Sequence, residues 1–197
     1  MNHVAHCLLS FPEPDVLTGN FIGDFVKGKA WQQYPSGIRK GILLHRAIDT
    51  FTDQHPLVHQ NVDRIRRFAG RYSAPVVDIL FDHLLCNQWP TLVPDLDFDT
   101  FADWAYTSLD AALASMPEEL QRRWPHMRAG RFLHGYRQRE GLEWVLRQFA
   151  KRLMRPIDGE GLLASFYEEM ADFSSDFQVF FPELDAHCRQ FREQYAD

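Results

Sequence analysis

Three ionisable side chains recur at every fourth position in one stretch of this 197-residue chain. At about 100° per residue, His45, Asp49 and Asp53 would lie on one face of a helix, and that face also carries isoleucines. An imidazole and two carboxylates that face a protein interior cost free energy unless a cation compensates their charge. Because both ligand types bind divalent metals, the spacing predicts a metal centre; the alternative is a partly solvated ion-pair helix.

A second stretch, 74–89, carries similar groups on a segment that is apolar nearly all round. That pattern predicts a helix through the middle of the protein. Asp82 and His83 interrupt it with the same two ligand types as the first stretch. A single buried acid would more often be paired with an arginine or a helix N-terminus, but this adjacent pair favours a contribution to the same site.

Two shorter segments near the start of the chain add compatible side chains. His3 and His6 are one helical turn apart if that stretch is helical, and Asn20 and Asp24 are at i and i+4 in a segment with an apolar side. Neither segment alone is strong evidence for a metal site, since a lone buried histidine is usually a core residue whose hydrogen bonds are satisfied. Together, four apolar segments that offer His, Asp and Asn predict one shared metal centre.

Composition and periodicity favour one all-α domain, a compact multi-helix bundle over residues 1–197. Hydrophobic residues make up 45% of the chain and 27 residues are aromatic, as in a globular core. Between the prolines the apolar spacing is mostly three and four, and few stretches alternate as strands do. We expect helices near 15–28, 36–53, 57–70, 74–89, 97–115, 117–124, 139–153, 159–180 and 183–195.

Several classes of protein are disfavoured. No apolar run approaches the roughly 20 residues that cross a bilayer, and the N-terminal residues lack the pattern of a signal peptide. Three widely spaced cysteines indicate reduced thiols and a cytoplasmic protein. A net charge of -6 and the lack of a recognition motif argue against nucleic-acid binding.

The charges are unevenly distributed along the chain. Residues 158–197 are strongly acidic, whereas two stretches before them are rich in basic residues. This asymmetry predicts a basic surface for an anionic partner; the alternative is a solvated face paired with the acidic C-terminal helix. The two basic groups are Arg64, Arg66, Arg67 and Arg71, and the stretch from Arg122 to Arg155.

The order of these motifs resembles the acyl carrier protein phosphodiesterases, also called ACP hydrolases. The matching patterns are M-N-x-x-A-H, G-N-x-x-x-D-F-V-x-G, H-R-x-I-D-x-x-T-D-x-x-P and D-H-x-L-x-x-x-W. They begin at Met1, Gly19, His45 and Asp82 and keep the family's order over the first ninety residues. The remainder of the chain matches only loosely.

The resemblance implies an HD-domain type of helical fold and a manganese-dependent site, with magnesium or another divalent metal as the alternative cofactor. The implied reaction cleaves the phosphodiester that joins 4'-phosphopantetheine to a serine of acyl carrier protein. One departure is that Asp82-His83 reverses the His-Asp pair for which the wider superfamily is named. The ligands therefore cannot simply be transferred, and His3, which is outside the family motif, is treated as a neighbour.

On this resemblance, the expected roles of the site residues fall into three groups. The expected metal ligands are His6, Asp24, His45 and Asp82. Asp49 is a fifth ligand or a water-orienting base, His83 protonates the leaving serine oxygen, and Arg46 or Lys27 binds the non-bridging oxygens. Asn20 and Asp53 are expected to support the ligands from behind, with Asp53 orienting His45.

An acidic carrier protein as partner calls for a basic docking surface. The group Arg64, Arg66, Arg67 and Arg71 is favoured over Arg122–Arg155 because it follows the metal segments in sequence. Two other functions remain open. One is an HD-type phosphohydrolase of nucleotides or other small phosphate esters, and the other is a non-catalytic helical module that binds an acidic protein.

Overall fold

A computed structural model describes residues 1–195, and the ordered elements in that range are helical, as the all-α prediction requires. The α-helices are α1 (His3–Leu8), α2 (Pro14–Ile22), α3 (Ser36–Gln54), α4 (Pro56–Ala69), α5 (Ser73–Asn87), α6 (Trp89–Leu92), α7 (Phe98–Ala111), α8 (Glu118–Ala129), α9 (Arg139–Ala150), α10 (Gly159–Glu168) and α11 (Met170–Gln194). Short 3-10 helices cover Gly23–Phe25, Ala30–Gln33, Gly70–Tyr72, Leu113–Ser115 and His134–Arg137.

Helices α2 and α3 cross with their backbones nearly touching, and two glycines make this possible. A Cβ on Gly19 would lie 2.0 Å from the carbonyl oxygen of Ile38, and one on Gly41 would lie 2.1 Å from that of Val16. No side chain fits in either gap, so only glycine permits this approach. The crossing fixes the end of α2, which carries Asn20, against the middle of α3.

Helix α5 runs through the interior, as its apolar sequence predicts. Eleven of its fifteen residues are buried, and Phe81 packs against Phe177 and Phe180 of α11 at ring-centroid distances of 5.0 and 5.4 Å. Its other side faces α1 and α9. This central position brings the adjacent residues Asp82 and His83 of α5 into different surroundings.

Some helix boundaries differ from those expected from the sequence. α2 ends at Ile22 instead of residue 28, and α8 continues past Pro125 to Ala129. The expected break at Pro182 was wrong: α11 runs through that proline, and the interruption lies before Met170. Phe181 and Leu184 are buried on either side of the proline, so core packing holds the helix together where one backbone hydrogen bond is missing.

Candidate metal centre

Three side chains from two distant segments meet in the fold. His6 comes from α1, whereas His45 and Asp49 are one turn apart on α3. Nε2 of His6 lies 3.3 Å from Oδ1 of Asp49, and Nε2 of His45 lies 3.2 Å from its Oδ2. The donor atoms of all three are within 4.8 Å of one another, which is the spacing of ligands around one ion.

Asn20 orients both imidazoles from behind. Its side-chain oxygen is 2.6 Å from Nδ1 of His6, and its backbone oxygen is 2.8 Å from Nδ1 of His45. The side-chain amide of Asn20 donates to the carbonyl oxygen of His6 and to Oγ of Ser10, both at 2.8 Å, which fixes which end of the amide is oxygen. Both imidazoles must therefore carry a proton on Nδ1.

When both imidazoles are neutral, this tautomer leaves only lone pairs where the three side chains meet. With Nδ1 protonated, a neutral imidazole presents the lone pair of Nε2, and the carboxylate of Asp49 presents oxygens. The rings of His6 and His45 are stacked with centroids 4.3 Å apart, so protonating both would place two positive rings face to face. A cation between Asp49 and the two Nε2 atoms resolves the conflict, and two imidazoles with a carboxylate are suitable ligands for a divalent metal.

The charges of the cluster shift the pKa values of its members. Burial acts to lower the pKa of His45, but hydrogen bonds to Asp24 and Asp49 outweigh it and raise the pKa to about 9. Burial lowers the pKa of His6 despite its contact with Asp49. Against the effect of burial, the two imidazoles hold the pKa of Asp49 far below its usual range. The carboxylate is thus charged, and a positive charge is held beside it.

Asp24 lies at the open side of this cluster. Its Oδ1 is 3.5 Å from Nε2 of His45, and its side chain is 76% exposed. A cleft of about 260 Å³ opens here, lined by Gly23, Asp24, Val26, Lys27, Gly28, His45, Arg46 and Asp49. The cluster is therefore reachable from solvent on the side where Asp24 and Lys27 lie.

Gly23 has a role that the sequence did not indicate. A Cβ at this position would lie 2.3 Å from Cγ of the His45 ring and 2.6 Å from its Cδ2. The imidazole thus occupies the space that any other residue would fill.

Asp82 does not join the cluster, contrary to its expected role as a ligand. Its carboxylate accepts hydrogen bonds from the backbone amides of Val4 at 2.6 Å, Ala5 at 3.2 Å and Asn2 at 3.4 Å. The side chain is fully buried at the N-terminus of α1, and burial raises its pKa to about 7. Asp82 therefore holds the helix that carries His6, instead of holding a metal.

His83 is also directed elsewhere, so the structure does not support it as the proton donor. Its Nδ1 is 2.7 Å from the carbonyl oxygen of Tyr136, and Nε2 is 2.9 Å from the side-chain amide of Asn87. Its ring contacts Phe166 and Tyr167. On α5, the side chain of His83 points about 100° away from that of Asp82, and it therefore faces α9 and α10.

Two α3 residues differ from expectation in what they bind. Asp53 does not orient His45, because the backbone oxygen of Asn20 does so. Arg46 lines the cleft, but one of its NH2 groups donates to the carbonyl oxygens of Val26 at 3.0 Å and Gly28 at 2.9 Å. Arg46 thus fixes the loop that forms one wall of the cleft.

The favoured docking group is largely engaged within the protein. Arg64 forms an ion pair with Asp176 of α11, in which both side chains are mostly buried. Arg67 reaches Oγ of Ser165 at 3.4 Å, and Arg71 donates to the hydroxyl of Tyr72 at 2.7 Å. Arg66 is exposed but paired with Asp63. The charge of Arg64 is therefore balanced by Asp176 within the protein, and docking on these four arginines stays a prediction.

In the second basic group, six of the ten basic residues form ion pairs with acids. The other four, Arg147, Lys151, Arg152 and Arg155, form none within residues 1–195. Arg122 and Arg123 pair with glutamates one turn earlier on α8, and Arg139 pairs with Glu143 on α9. Asp99 lies within 3.9 Å of two further arginines of this group. These arginines pair mostly with acids of nearby segments and not with the acidic C-terminal helix. Arg64 of the first group does pair with that helix.

The fold and this cluster define an all-helical protein with two imidazoles and a carboxylate at a solvent-accessible cleft. The sequence model of a family described as acyl carrier protein phosphodiesterase matches residues 1–184. The chain belongs to the acyl carrier protein phosphodiesterase family, as its motifs led us to expect.

Relatives named acyl carrier protein phosphodiesterase match nearly end to end. The protein of Photorhabdus laumondii is 31% identical over 184 residues, which covers 93% of either chain. That of Pectobacterium atrosepticum is 30% identical over 184 residues, or 93% of this chain and 95% of the relative. That of Salmonella agona is 28% identical over 191 residues, or 95% and 97%.

No solved structure matches the chain significantly. Its relation to HD-domain folds therefore stays a prediction. Within residues 1–195, none of the helices combines the length and the apolar character that a membrane span needs.

Proposed function

We propose that this protein hydrolyses the phosphodiester between 4'-phosphopantetheine and a serine of acyl carrier protein, using a divalent metal held by His6, His45 and Asp49. The observation that carries the proposal is the set of facing acceptors in the cluster, whose imidazoles are both protonated at Nδ1 toward Asn20. Family membership supplies the class of reaction and the carrier protein as substrate.

The donor set suits manganese, with magnesium second, because mixed nitrogen and oxygen ligands favour the former. When bound, such an ion neutralises phosphoryl charge and lowers the pKa of a water molecule. Asp24, at the open side of the cluster, completes the ligand set. Asp49 lies between the two imidazoles, so it serves as a ligand and not as a free base.

The remaining cleft residues act on the substrate. A phosphodiester is anionic, and the positive charges that line the cleft belong to Lys27 and Arg46. We assign the ammonium of Lys27 to the non-bridging oxygens, because it is exposed and makes no ion pair within residues 1–195. Arg46 holds the loop of Val26 and Gly28 and adds its charge from behind.

The experiment is incubation of holo carrier protein with the enzyme and manganese, followed by mass spectrometry for loss of the pantetheine arm. Asp24→Ala and His45→Ala should each abolish release while the helical circular-dichroism signal stays intact. Asp53→Asn is the matched control, because Asp53 lies one turn beyond Asp49 on α3 and outside the cluster. Near-normal release by either cluster variant would contradict the proposal.

The two alternative functions give different outcomes in the same assay. A small-ester phosphohydrolase would hydrolyse nucleotides or other small phosphate esters and leave holo carrier intact. A binding module would release nothing, would purify without stoichiometric metal and would be indifferent to chelator. We place the reaction in the cytoplasm, in keeping with three buried free cysteines, Cys7, Cys86 and Cys188.

A further inference from the structure

The stretch from Phe25 to Ile48 holds five basic residues and no acidic one, in a chain whose net charge is -6. It comprises the loop after α2, a 3-10 helix and most of α3. We name the five the α3 basic surface. They are Lys27, Lys29, Arg39, Lys40 and Arg46.

Four of these five residues line two cavities along α3, and Lys29 lies in the loop between Lys27 and Trp31. Lys27 and Arg46 line the cleft of the metal centre. Arg39 and Lys40 line a larger groove of about 500 Å³, together with Trp31, Leu43 and others. Because Arg39, Leu43 and Arg46 recur at spacings of four and three, one face of α3 leads from the groove to the cleft.

The charge of this surface is available to a partner. Lys27, Lys29 and Arg39 are exposed and form no ion pair within the part of the chain described. Lys40 is paired with Glu13 at 3.3 Å, but Glu13 is also held by Arg192 at 2.6 Å. The one carboxylate in the groove's lining is therefore already balanced by two cations, and the surface stays positive.

The chemistry of the substrate requires docking beside the cleft. The scissile phosphodiester is attached directly to a serine of the carrier protein, so the carrier's own surface must come within a few ångströms of the metal centre. Arg66 and Arg71 line neither the cleft nor the groove beside it. The residues that meet the carrier must lie at the cleft or beside it. Lys27 and Arg46 line the cleft, and α3 continues from Arg46 back to Arg39.

We infer that the α3 basic surface docks an acidic face of the carrier protein around its modified serine, with Trp31 as the apolar contact. This inference rests on the proposed function. Complementary charge raises the rate of encounter and fixes orientation, and the effect weakens with salt. An aromatic side chain within a charged surface is a common anchor of protein interfaces.

The test reverses two charges that lie outside the cleft. Lys29→Glu with Arg39→Glu is compared with Arg66→Glu with Arg71→Glu, which makes the same charge change on the group favoured from sequence. For the α3 pair, we expect the KM for holo carrier to rise about tenfold, kcat to change little and the salt dependence of kcat/KM to flatten. Hydrolysis of bis(4-nitrophenyl) phosphate by this variant should stay at the wild-type rate, and the Arg66/Arg71 double variant should behave as wild type.

An unchanged KM for holo carrier in the Lys29/Arg39 double variant, or a larger rise in the Arg66/Arg71 double variant, would overturn the inference. Equal losses on holo carrier and on the small diester would overturn it as well, since they indicate damage to the cleft. Failure of the wild type to release the arm would refute the proposed function instead. Docking itself is measured by the fluorescence anisotropy of labelled holo carrier. Equal affinities of the wild type and the Lys29/Arg39 double variant for the carrier would refute docking on the α3 basic surface.

Discussion

The imidazole of His45 occupies the space that a side chain at Gly23 would need, with Cγ of the ring 2.3 Å from the position of a Cβ there. Because Gly23 has no side chain, it leaves room for the His45 ring in the candidate metal centre. It lets the ring stand between the backbone of Asn20 and the carboxylate of Asp49, at 2.8 and 3.2 Å.

Gly23→Ala should therefore displace His45 and reduce pantetheine release. A misplacement of about 1 Å at a reacting group can cost on the order of a hundredfold in rate, and we expect a fall in kcat of that size with weaker manganese binding. The control is Gly159→Ala on α10, where an added Cβ meets nothing within 4 Å. Full activity of Gly23→Ala at wild-type metal affinity would show that the ring does not need this position.

Asp82 is predicted to position His6 by holding α1. Asp82→Ala leaves the buried amides of Val4 and Ala5 without an acceptor, and we expect the free energy of unfolding to fall by roughly 2 to 3 kcal/mol. Manganese affinity should fall too, because His6 depends on α1, and hydrogen exchange at Val4 to Cys7 should quicken. Urea denaturation, metal titration and exchange measure the three effects.

Asp97→Ala is the control for that loss of a cap. Asp97 caps α7 by accepting from the amide of Thr100 at 2.9 Å, and it takes no part in the cluster. This variant should lose stability and keep wild-type metal affinity. If Asp82→Ala did the same, a specific role in placing His6 would be refuted.

The elements that the sequence predicted well are those whose side chains repeat regularly. The buried face of α3 follows from its spacing of three and four, and so does the meeting of His45 with Asp49 one turn away. Helix α1 is different: it is six residues long, and much of what holds it comes from Asp82, 80 positions after Asn2. The sequence around α1 does not predict that contact.

The same reason explains the misplaced ligand. Asp82 and His83 offer the right chemistry, and only the packing of α5 shows that one faces α1 and the other Tyr136. Likewise, the sequence alone predicts that the arginines of α4 are a free basic group. The fold shows that Asp176 of α11 pairs with Arg64. Residue types were therefore predictable, whereas their partners depended on contacts between distant segments.

Protonation of His45 should link stability to pH in the metal-free protein. Hydrogen bonds to Asp24 and Asp49 raise its pKa from 6.5 to about 9, so the folded state binds the proton more tightly than the unfolded state. The stabilisation is complete below the ordinary pKa and is lost as pH rises through about 9. The free energy of unfolding of wild type relative to His45→Gln should therefore decline between about pH 6.5 and 9.

Manganese must displace that same proton. Its affinity should therefore rise with pH up to about 9, and binding should release protons into the buffer near neutrality. Calorimetry in buffers of different ionisation enthalpy measures the release. A metal affinity independent of pH across this range would show that His45 is not a ligand.

The central claim is that His6, His45 and Asp49 together hold a divalent metal. Its most direct test is titration of the chelator-treated protein with manganese, followed by calorimetry or electron paramagnetic resonance, for wild type, Asp49→Asn and the neighbouring control Asp53→Asn. The account predicts stoichiometric binding by wild type and Asp53→Asn and its loss in Asp49→Asn. Equal binding by all three proteins, or none by wild type, would contradict it.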